Sequence, residues 1–217
     1  MIKVLKHDKK EDILELETDM PVYLANAIRR SVLEIPTLAV DEVEISQNDS
    51  ALFDEVISHR IGLIPIKTDK TTKEARYKLK KTGPCIVYST DFKPDFETGL
   101  KIPITILDEE QEIELIANAK LGTGNEHVKF SPGMIYYKHN IDDDVIDFVS
   151  IKDGKIIFNE DELKVDAEKL NKIKKLKYTN ELIISVESWG QIDAKSIFAR
   201  AIEVLDKNLQ GLSKEIK

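Results

Sequence analysis

The sequence has few of the residues that usually mark catalytic or metal-binding proteins. Its 217 residues include one cysteine, Cys85, four histidines and nine glycines. A single cysteine excludes an internal disulfide, and alone it cannot hold zinc or an iron–sulfur cluster. Cys85 is therefore expected to be a small residue of a strand, and no metal site is predicted.

The sequence patterns of common active sites are also missing. His7, His59, His127 and His139 are scattered, without the spacing of a zinc-binding helix. The chain has no G-x-S-x-G nucleophile elbow and no G-K-[S/T] to complete a phosphate-binding loop. The aspartates at 142–144 lack the oxygen spacing and the final glutamate of a calcium loop. We therefore predict no catalysis by this chain alone.

Long apolar runs and an excess of positive charge are absent as well. No apolar run approaches the ~20 residues that a membrane helix needs, and the charged start of the chain does not resemble a signal peptide. The expectation is a cytoplasmic protein. The formal net charge of −8 at pH 7 disfavours strong direct binding to nucleic acid, because phosphate binding requires a positive surface.

The first 36 residues predict a hairpin followed by a helix. Residues 2–5 and 13–16 have strand patterns on either side of the turn HDKKED. Asp19 is a candidate helix cap, Pro21 suits the first turn, and Pro36 ends the helix. The residues that share one helix face are Leu24, Ala27, Ile28, Ser31, Val32 and Ile35.

The end of the chain repeats the combination of strand and helix. ELIISVESWG, residues 181–190, is typical of a buried strand, and Asp193 is the candidate cap of the long helix that follows. The apolar residues of this helix cover an arc of about 160°, whereas roughly 100° is enough to rest on one core. The helix therefore contacts either its own sheet and a partner, or two surfaces buried within this chain.

The two end segments are each too small to bury their apolar faces alone. Together, residues 1–36 and 178–217 predict one discontinuous domain of antiparallel strands and two long helices, interrupted by a strand-rich α+β insertion of residues 37–177. The fold class is therefore α+β. The end segments carry 11 Lys/Arg and 13 Asp/Glu and the insertion carries 21 and 27, so the acidity lies mainly in the insertion.

Several segments of the insertion have informative patterns. Residues 37–49 alternate as a strand, and SALFDEVISHRIG, residues 50–62, predicts a helix capped by Ser50. The following LIPI predicts either an edge strand or a departure from the sheet, because Pro65 cannot donate to a ladder. AKLGTGNEHVKFSPG, residues 119–133, predicts either a structural turn or a shaped loop that docks on another surface. DDDVID is expected to be a solvated loop, and EKLNKIKKLKY an exposed basic helix or connector.

Two blocks of the sequence carry a family resemblance. LANAIRRSVLEIPTLAVDEVEISQNDSALFDEVISHRIGLIPI resembles the signature region of the D subunit of archaeal RNA polymerase, and AKLGTGNEHVKFSPG resembles a second block of that family. The family is similar to the third-largest subunit of eukaryotic RNA polymerase II and to the N-terminal domain of the bacterial alpha subunit. The resemblance covers nearly the whole chain in order.

The resemblance implies a non-catalytic assembly subunit. In the family, the end segments form a dimerisation domain that pairs with a smaller homologous subunit, L. The pair is the platform for the second-largest subunit, B, and for the small subunits N and P, and the whole polymerase binds DNA. The alternatives are a stand-alone homodimer of the bacterial alpha type and an enzyme that holds a phosphate-bearing ligand in the loop of residues 122–130.

The resemblance also implies where partners bind. The predicted subunit L interface comprises Leu24, Ile28, Val32, Ile197, Ala201, Val204 and Leu205. The predicted docking residues for the large or small subunits are Arg29, Arg30, His59, Arg60, Gly62, Gly122, Gly124, His127, Lys129 and Phe130. Some archaeal members bind an iron–sulfur cluster through a cysteine-rich segment. With Cys85 as the only cysteine, no cofactor is expected here.

Overall fold

A computed structural model describes residues 2–69, 71–140, 149–152, 155–158 and 181–216 of the chain. Its described elements are antiparallel sheets and helices, which confirms the α+β fold class. Strands β9, Val149–Lys152, and β10, Lys155–Phe158, form a separate two-stranded antiparallel sheet. The DDDVID and EKLNKIKKLKY predictions, at 142–147 and 168–178, lie outside the described residues.

The N-terminal hairpin belongs to a four-stranded antiparallel sheet. Strand β1, Ile2–Asp8, pairs with β2, Ile13–Thr18, as the alternating sequence predicted. Strand β2 pairs in turn with β11, Leu182–Ser188, and β11 pairs with β8, Gly133–His139. The order across the sheet is β1-β2-β11-β8. We call this sheet and the helices packed on it the terminal unit.

Strand β8 corrects the predicted domain boundary. The limits of 37–177 assigned residues 133–139 to the insertion, but these residues hydrogen-bond to β11 at the edge of the terminal sheet. Gly133 opens β8 where it passes close to the Glu187 backbone, so that a Cβ at this position would clash with that carbonyl. The predicted insertion therefore contributes one strand, β8, to a sheet whose other three strands come from the two end segments.

The first helix, α1, spans Val22–Ser31, and a single 3₁₀ turn, Val32–Glu34, continues it. Pro21 is the N-cap residue and makes no side-chain cap bond, so the predicted cap at Asp19 was wrong by two positions. The fixed φ of proline suits this place because no intrahelical donor is lost. Extended backbone at Ile35 precedes Pro36 and ends the helical segment, as predicted.

The last helix, α3, spans Ala194–Glu215. Asp193 caps it as predicted, because its Oδ1 accepts a 2.9 Å hydrogen bond from the Ser196 N–H. Helix α3 packs against α1 and on strands β2, β11 and β8. The resulting core consists of Leu14, Leu16, Ala25, Ile28, Val32, Ile35, Ile135, Leu182, Ile184, Val186, Ile192, Ala194, Ile197, Phe198 and Ala201.

A second core lies in the middle of the chain, which we call the insertion unit. Strands β3, Thr37–Asn48, β7, Glu112–Gly122, and β4, Glu74–Thr82, form a three-stranded sheet in the order β3-β7-β4. Strands β5, Cys85–Tyr88, and β6, Pro103–Leu107, pair separately. Cys85 is thus a partly buried strand residue, as predicted.

Helix α2, Asp54–Gly62, packs on the insertion sheet. It begins after Phe53, so the prediction that Ser50 caps it was wrong. The Ser50 hydroxyl donates instead to the Asn48 side chain, in the turn before the helix. The LIPI stretch belongs to no strand, so of its two predicted readings the departure from the sheet is the correct one. It begins with Leu63 as the C-cap of α2, and it buries Ile64 and Ile66 in the insertion core.

Buried polar groups link the two units. The Gln191 carbonyl accepts from the Thr68 N–H at 2.9 Å, and the Gln191 side-chain amide donates to the Ser131 carbonyl at 3.2 Å. The Thr68 hydroxyl in turn accepts from the Leu38 N–H at 3.0 Å. A buried donor or acceptor left without a partner costs roughly 1–3 kcal/mol, so these bonds favour one arrangement of the two cores.

Candidate interaction surfaces

Four of the seven residues predicted to face subunit L lie inside the chain's own core. Ile28, Val32, Ile197 and Ala201 are each at most 4% exposed. They fill the space between α1, α3 and the sheet, where the apolar stripe of each helix meets the other. These four residues are therefore corrected from an accessible interface to residues of the chain's own core.

The other three residues of that prediction remain accessible in part. Leu24 is exposed, whereas Val204 and Leu205 are partly buried against the terminal core. The helices also expose apolar side chains that the sequence prediction omitted. We call the exposed set on α1 and α3 the helical apolar surface: Val22, Tyr23, Leu24, Ile202, Leu209, Leu212 and Ile216.

The apolar stripe of α3 extends beyond the core that it helps to form. Its first half is buried at Ala194, Ile197, Phe198 and Ala201, whereas residues 206–216 are all exposed. At about 100° per residue, Leu205, Leu209, Leu212 and Ile216 fall within an arc of about 60°. The surplus of apolar surface thus lies along the length of the helix rather than around it.

The two adjacent arginines stand at the C-terminal end of α1, where cations interact favourably with the helix dipole. Arg29 is held by Asn26, whose Oδ1 accepts from Nε at 3.1 Å and from Nη2 at 2.9 Å. Within the described residues, Arg30 has neither an ion pair nor a hydrogen bond from its guanidinium. Both arginines border a groove that also includes the exposed side chains of Leu33 and Met134.

Helix α2 carries the second group of predicted docking residues. His59 is exposed, and the exposed Arg60 donates from Nη2 to the Pro103 carbonyl at 3.1 Å. Gly62 is partly buried beside Val40. The sequence prediction missed the apolar residues beside them: Phe53, 79% exposed, and Val56 and Leu63. A helical wheel separates Val56 and Leu63 by about 100° or more from the buried side of Ile57 and Ile61. It does not separate Phe53, which is the N-cap and lies four residues before Ile57.

The glycine-bearing loop is mainly a packed turn, which was the structural alternative in the sequence prediction. Phe130 is buried and lies so close to Gly122 that a Cβ there would be 2.6 Å from the ring. The Phe130 carbonyl accepts from the Thr37 hydroxyl. Phe130 and Gly122 are therefore corrected from docking residues to residues that fix the loop. Gly124 likewise lies against the Leu33 backbone.

Lys129 and His127 also make contacts within this chain, one with strand β3 and one inside the loop. Lys129 Nζ lies 2.8 Å from Asp41 Oδ1, and only 15% of its side chain is exposed. His127 Nδ1 accepts from the Lys129 N–H at 3.1 Å, which caps the short 3₁₀ turn Val128–Phe130. The exposed part of the loop is instead residues 125–128.

Asp41 joins this loop to the insertion sheet. Its carboxylate binds Lys120 at 2.7 Å and Lys129 at 2.8 Å. The hydrogen bond from Lys120, followed by that from Lys129, holds the pKa of Asp41 below its ordinary value of 3.8. The carboxylate is therefore charged at neutral pH and fixes both lysines.

Replacing Asp41 with Asn is expected to loosen the loop of residues 122–130. The substitution removes the charge that holds Lys129, and we expect hydrogen exchange of the backbone amides at 125–130 to become several-fold faster. Because the folded-state pKa of Asp41 is lowered, its stabilising effect is complete above about pH 5 and is lost as the pH falls through the folded value. Wild type and variant should therefore converge in strong acid, and equal exchange rates at pH 7 would contradict the assignment.

The described residues offer no group of three or more His, Cys, Asp or Glu side chains that could hold a metal ion. None of the helices in those residues is long and apolar enough to span a bilayer. The distinctive features of this part of the chain are thus its exposed apolar and basic surfaces.

Comparison with known proteins matches the sequence of this chain to a family. The family described as "RNA polymerase Rpb3/Rpb11 dimerisation domain" matches residues 7–209. The chain is 44% identical over 154 residues to DNA-directed RNA polymerase subunit Rpo3 of Pyrococcus furiosus, a match that covers 64% of this chain and 59% of the relative.

Two further archaeal relatives match over more of their length. The Rpo3 subunit of Methanocaldococcus jannaschii is 38% identical over 202 residues, which cover 91% of this chain and 86% of the relative. That of Archaeoglobus fulgidus is 30% identical over 237 residues, which cover 89% of each. The chain spans about three fifths of the length of the Pyrococcus relatives. The extent of the family match shows that this chain belongs to the RNA polymerase Rpb3/Rpb11 dimerisation domain family.

Proposed function

We propose that this chain is a non-catalytic assembly subunit of an archaeal DNA-dependent RNA polymerase. Its terminal unit pairs with the smaller subunit L, and the pair is the platform on which the second-largest subunit, B, and the small subunits N and P assemble. The observation that carries the proposal is the match to a dimerisation domain over residues 7–209, in a chain that exposes an apolar surface on α1 and α3.

The helical apolar surface supports the pairing step. Tyr23 is 78% exposed and Ile216 is 77% exposed, although isolated side chains of this kind cost free energy in water. Interfaces of permanent complexes resemble a domain core that has been divided between two chains. The apolar stripe of α3 fits this description. It is buried in the terminal core in the first half of the helix, and its second half exposes apolar side chains that no residue of this core covers.

Other exposed residues support docking of further subunits. Arg30 presents a planar guanidinium that can bind carboxylate or carbonyl oxygens in a bidentate manner, beside the apolar Leu33 and Met134. On the insertion unit, Phe53, Val56 and Leu63 surround His59 and Arg60 on α2. We assign these two regions to the B, N and P contacts, and residues 125–128 as the accessible part of the second block.

Catalysis belongs to other subunits in this proposal. The whole polymerase copies DNA into RNA in the cytoplasm, and this chain contributes neither a cofactor nor a metal ligand. Measurable nucleotide incorporation by the purified chain would contradict a purely structural role.

Stepwise assembly tests the proposal. The chain is expressed with subunit L, purified through a tag on L, and then mixed with B, N and P. We expect a one-to-one complex with L first, and a complex containing B only when both chains are present. If the purified chain is instead a stable homodimer that ignores L, the bacterial alpha type of arrangement replaces the proposed one.

A further inference from the structure

One strand of the terminal sheet has an apolar face that its own helices do not cover. Ile2 of β1 pairs with Thr18, and Val4 pairs with Leu16. Residues directly opposite each other in an antiparallel pair project from the same face of the sheet. Ile2 and Val4 therefore lie on the same face as Leu16 and Thr18, which is the face that carries the terminal core.

Burial changes abruptly across that face. Leu16 is 4% exposed, whereas its pairing partner Val4 is 59% exposed and Ile2 is 52% exposed. Helices α1 and α3 pack on β2, β11 and β8, so the helical layer covers the neighbouring strand and stops there. The inner face of β1 is a continuation of the core without a cover.

The outer face of β1 is different. Lys3 on that face forms an ion pair with Glu17 of β2 at 3.4 Å, and Lys6 is paired in register with Glu15. Lysines on an edge strand are a common protection against unwanted strand pairing, and this accounts for Lys3 and Lys6. It does not account for two large apolar side chains exposed on the opposite face.

The end of α3 shows the complementary feature. Residues 206–216 span about 16 Å at 1.5 Å per residue and expose Leu209, Leu212 and Ile216 on one side. The exposed apolar residues on the inner face of β1, Ile2 and Val4, span about 7 Å. The chain therefore has an uncovered apolar helix end and a shorter uncovered apolar strand face, which fits within two turns of such a helix.

We infer that the inner face of β1 is covered by the last helix of the dimer partner. The inference rests on the proposed function and identifies one contact of that dimer. Partners of the same fold that pair about an approximate two-fold axis present equivalent surfaces to each other. The helix end that projects from this chain is then the counterpart of the helix end that the partner lays on β1.

A strand added to the β1 edge fits the structure less well. Strand addition uses the backbone groups of the edge, and the β1–β2 ladder is interrupted by a register shift between Val4 and Lys6. Bulges of this kind twist an edge away from further pairing. The exposed side chains of Ile2 and Val4 project from the sheet face, where an apolar helix packs.

Cross-linking tests the contact. In a Cys85→Ser background, which has no other cysteine, Val4→Cys is combined with single cysteines at successive positions of the last helix of subunit L. We expect disulfide formation at positions three or four residues apart, as on one helix face. The matched control places the cysteine at Ile106, which is 67% exposed on the insertion unit and should not cross-link.

A binding measurement accompanies the cross-link. Val4→Asp is expected to weaken binding of L at least tenfold while the thermal unfolding of the chain is retained, and Ile106→Asp should leave the affinity unchanged. If L binds normally to Val4→Asp and no cross-link forms, the inference is overturned but the proposed function stands. If wild type does not bind L, the proposed function itself fails. A cross-link between two copies of this chain would also overturn the inference.

Discussion

Replacing Ile28 with Asp, or Ala201 with Arg, is expected to unfold the terminal unit rather than to block a partner selectively. Both residues are fully enclosed by α1, α3 and the sheet. Ile28→Asp removes a buried side chain and places a carboxylate without a partner in the core, which together cost at least about 4 kcal/mol. Since whole domains are stable by only about 5–15 kcal/mol, most of the margin is lost.

Circular dichroism during thermal unfolding measures this effect. The matched control is Leu24→Asp, which adds the same charge to the same helix at an exposed position. We expect the Ile28 variant to be insoluble or to melt far below the wild type, and the Leu24 variant to melt near it. Native melting of both Ile28→Asp and Ala201→Arg would mean that these residues are not core residues.

The second large effect concerns the end of α3. The double variant Leu209→Asp/Leu212→Asp is expected to fold normally, because both side chains are exposed and lie beyond the terminal core. Binding of subunit L should be lost, since two apolar contacts are replaced by charges that an apolar interface cannot solvate. Central interface residues contribute about 2 kcal/mol or more each, so the two together predict an affinity loss of about several hundredfold.

Titration of the purified chain with subunit L measures this loss by calorimetry. The control is Gln210→Asp/Gly211→Asp, which adds two charges to the same turns of α3 but about 100° or more around the helix from Leu209 and Leu212. It should bind L almost as the wild type does. Equal affinity of the Leu209/Leu212 double variant and this control would remove the α3 end from the interface.

The elements that depend on local pattern were predictable from the sequence. The β1–β2 hairpin, strand β3 and the Asp193 cap follow from alternation and capping chemistry, which are set by residues close together in the chain. The start of α2 was predicted three residues too early, at Ser50 instead of Phe53. Ser50 is a common cap residue, but its hydroxyl donates to the Asn48 side chain and does not cap the helix.

Long-range packing decided the features that the sequence did not reveal. The pairing of β8 with β11 joins residues 133–139 to residues 182–188, and no local pattern distinguishes this partner from a strand of the insertion. The helical wheel of α3 gave the correct stripe but not the point where the core ends, since that point depends on the length of the sheet beneath. Phe130 was assigned to docking from the family resemblance of its block. Its contact with Gly122 joins the two ends of a loop, and the sequence pattern does not reveal it.

The central claim is that another polypeptide covers the helical apolar surface. Its most direct test is the molar mass of the species in solution, measured for the chain alone and with equimolar subunit L. Sedimentation equilibrium at micromolar concentration gives that mass. With L present, we predict a single species with the summed mass of one copy of each chain. A monomer of 24.7 kDa that remains soluble and unchanged when L is added would contradict the account.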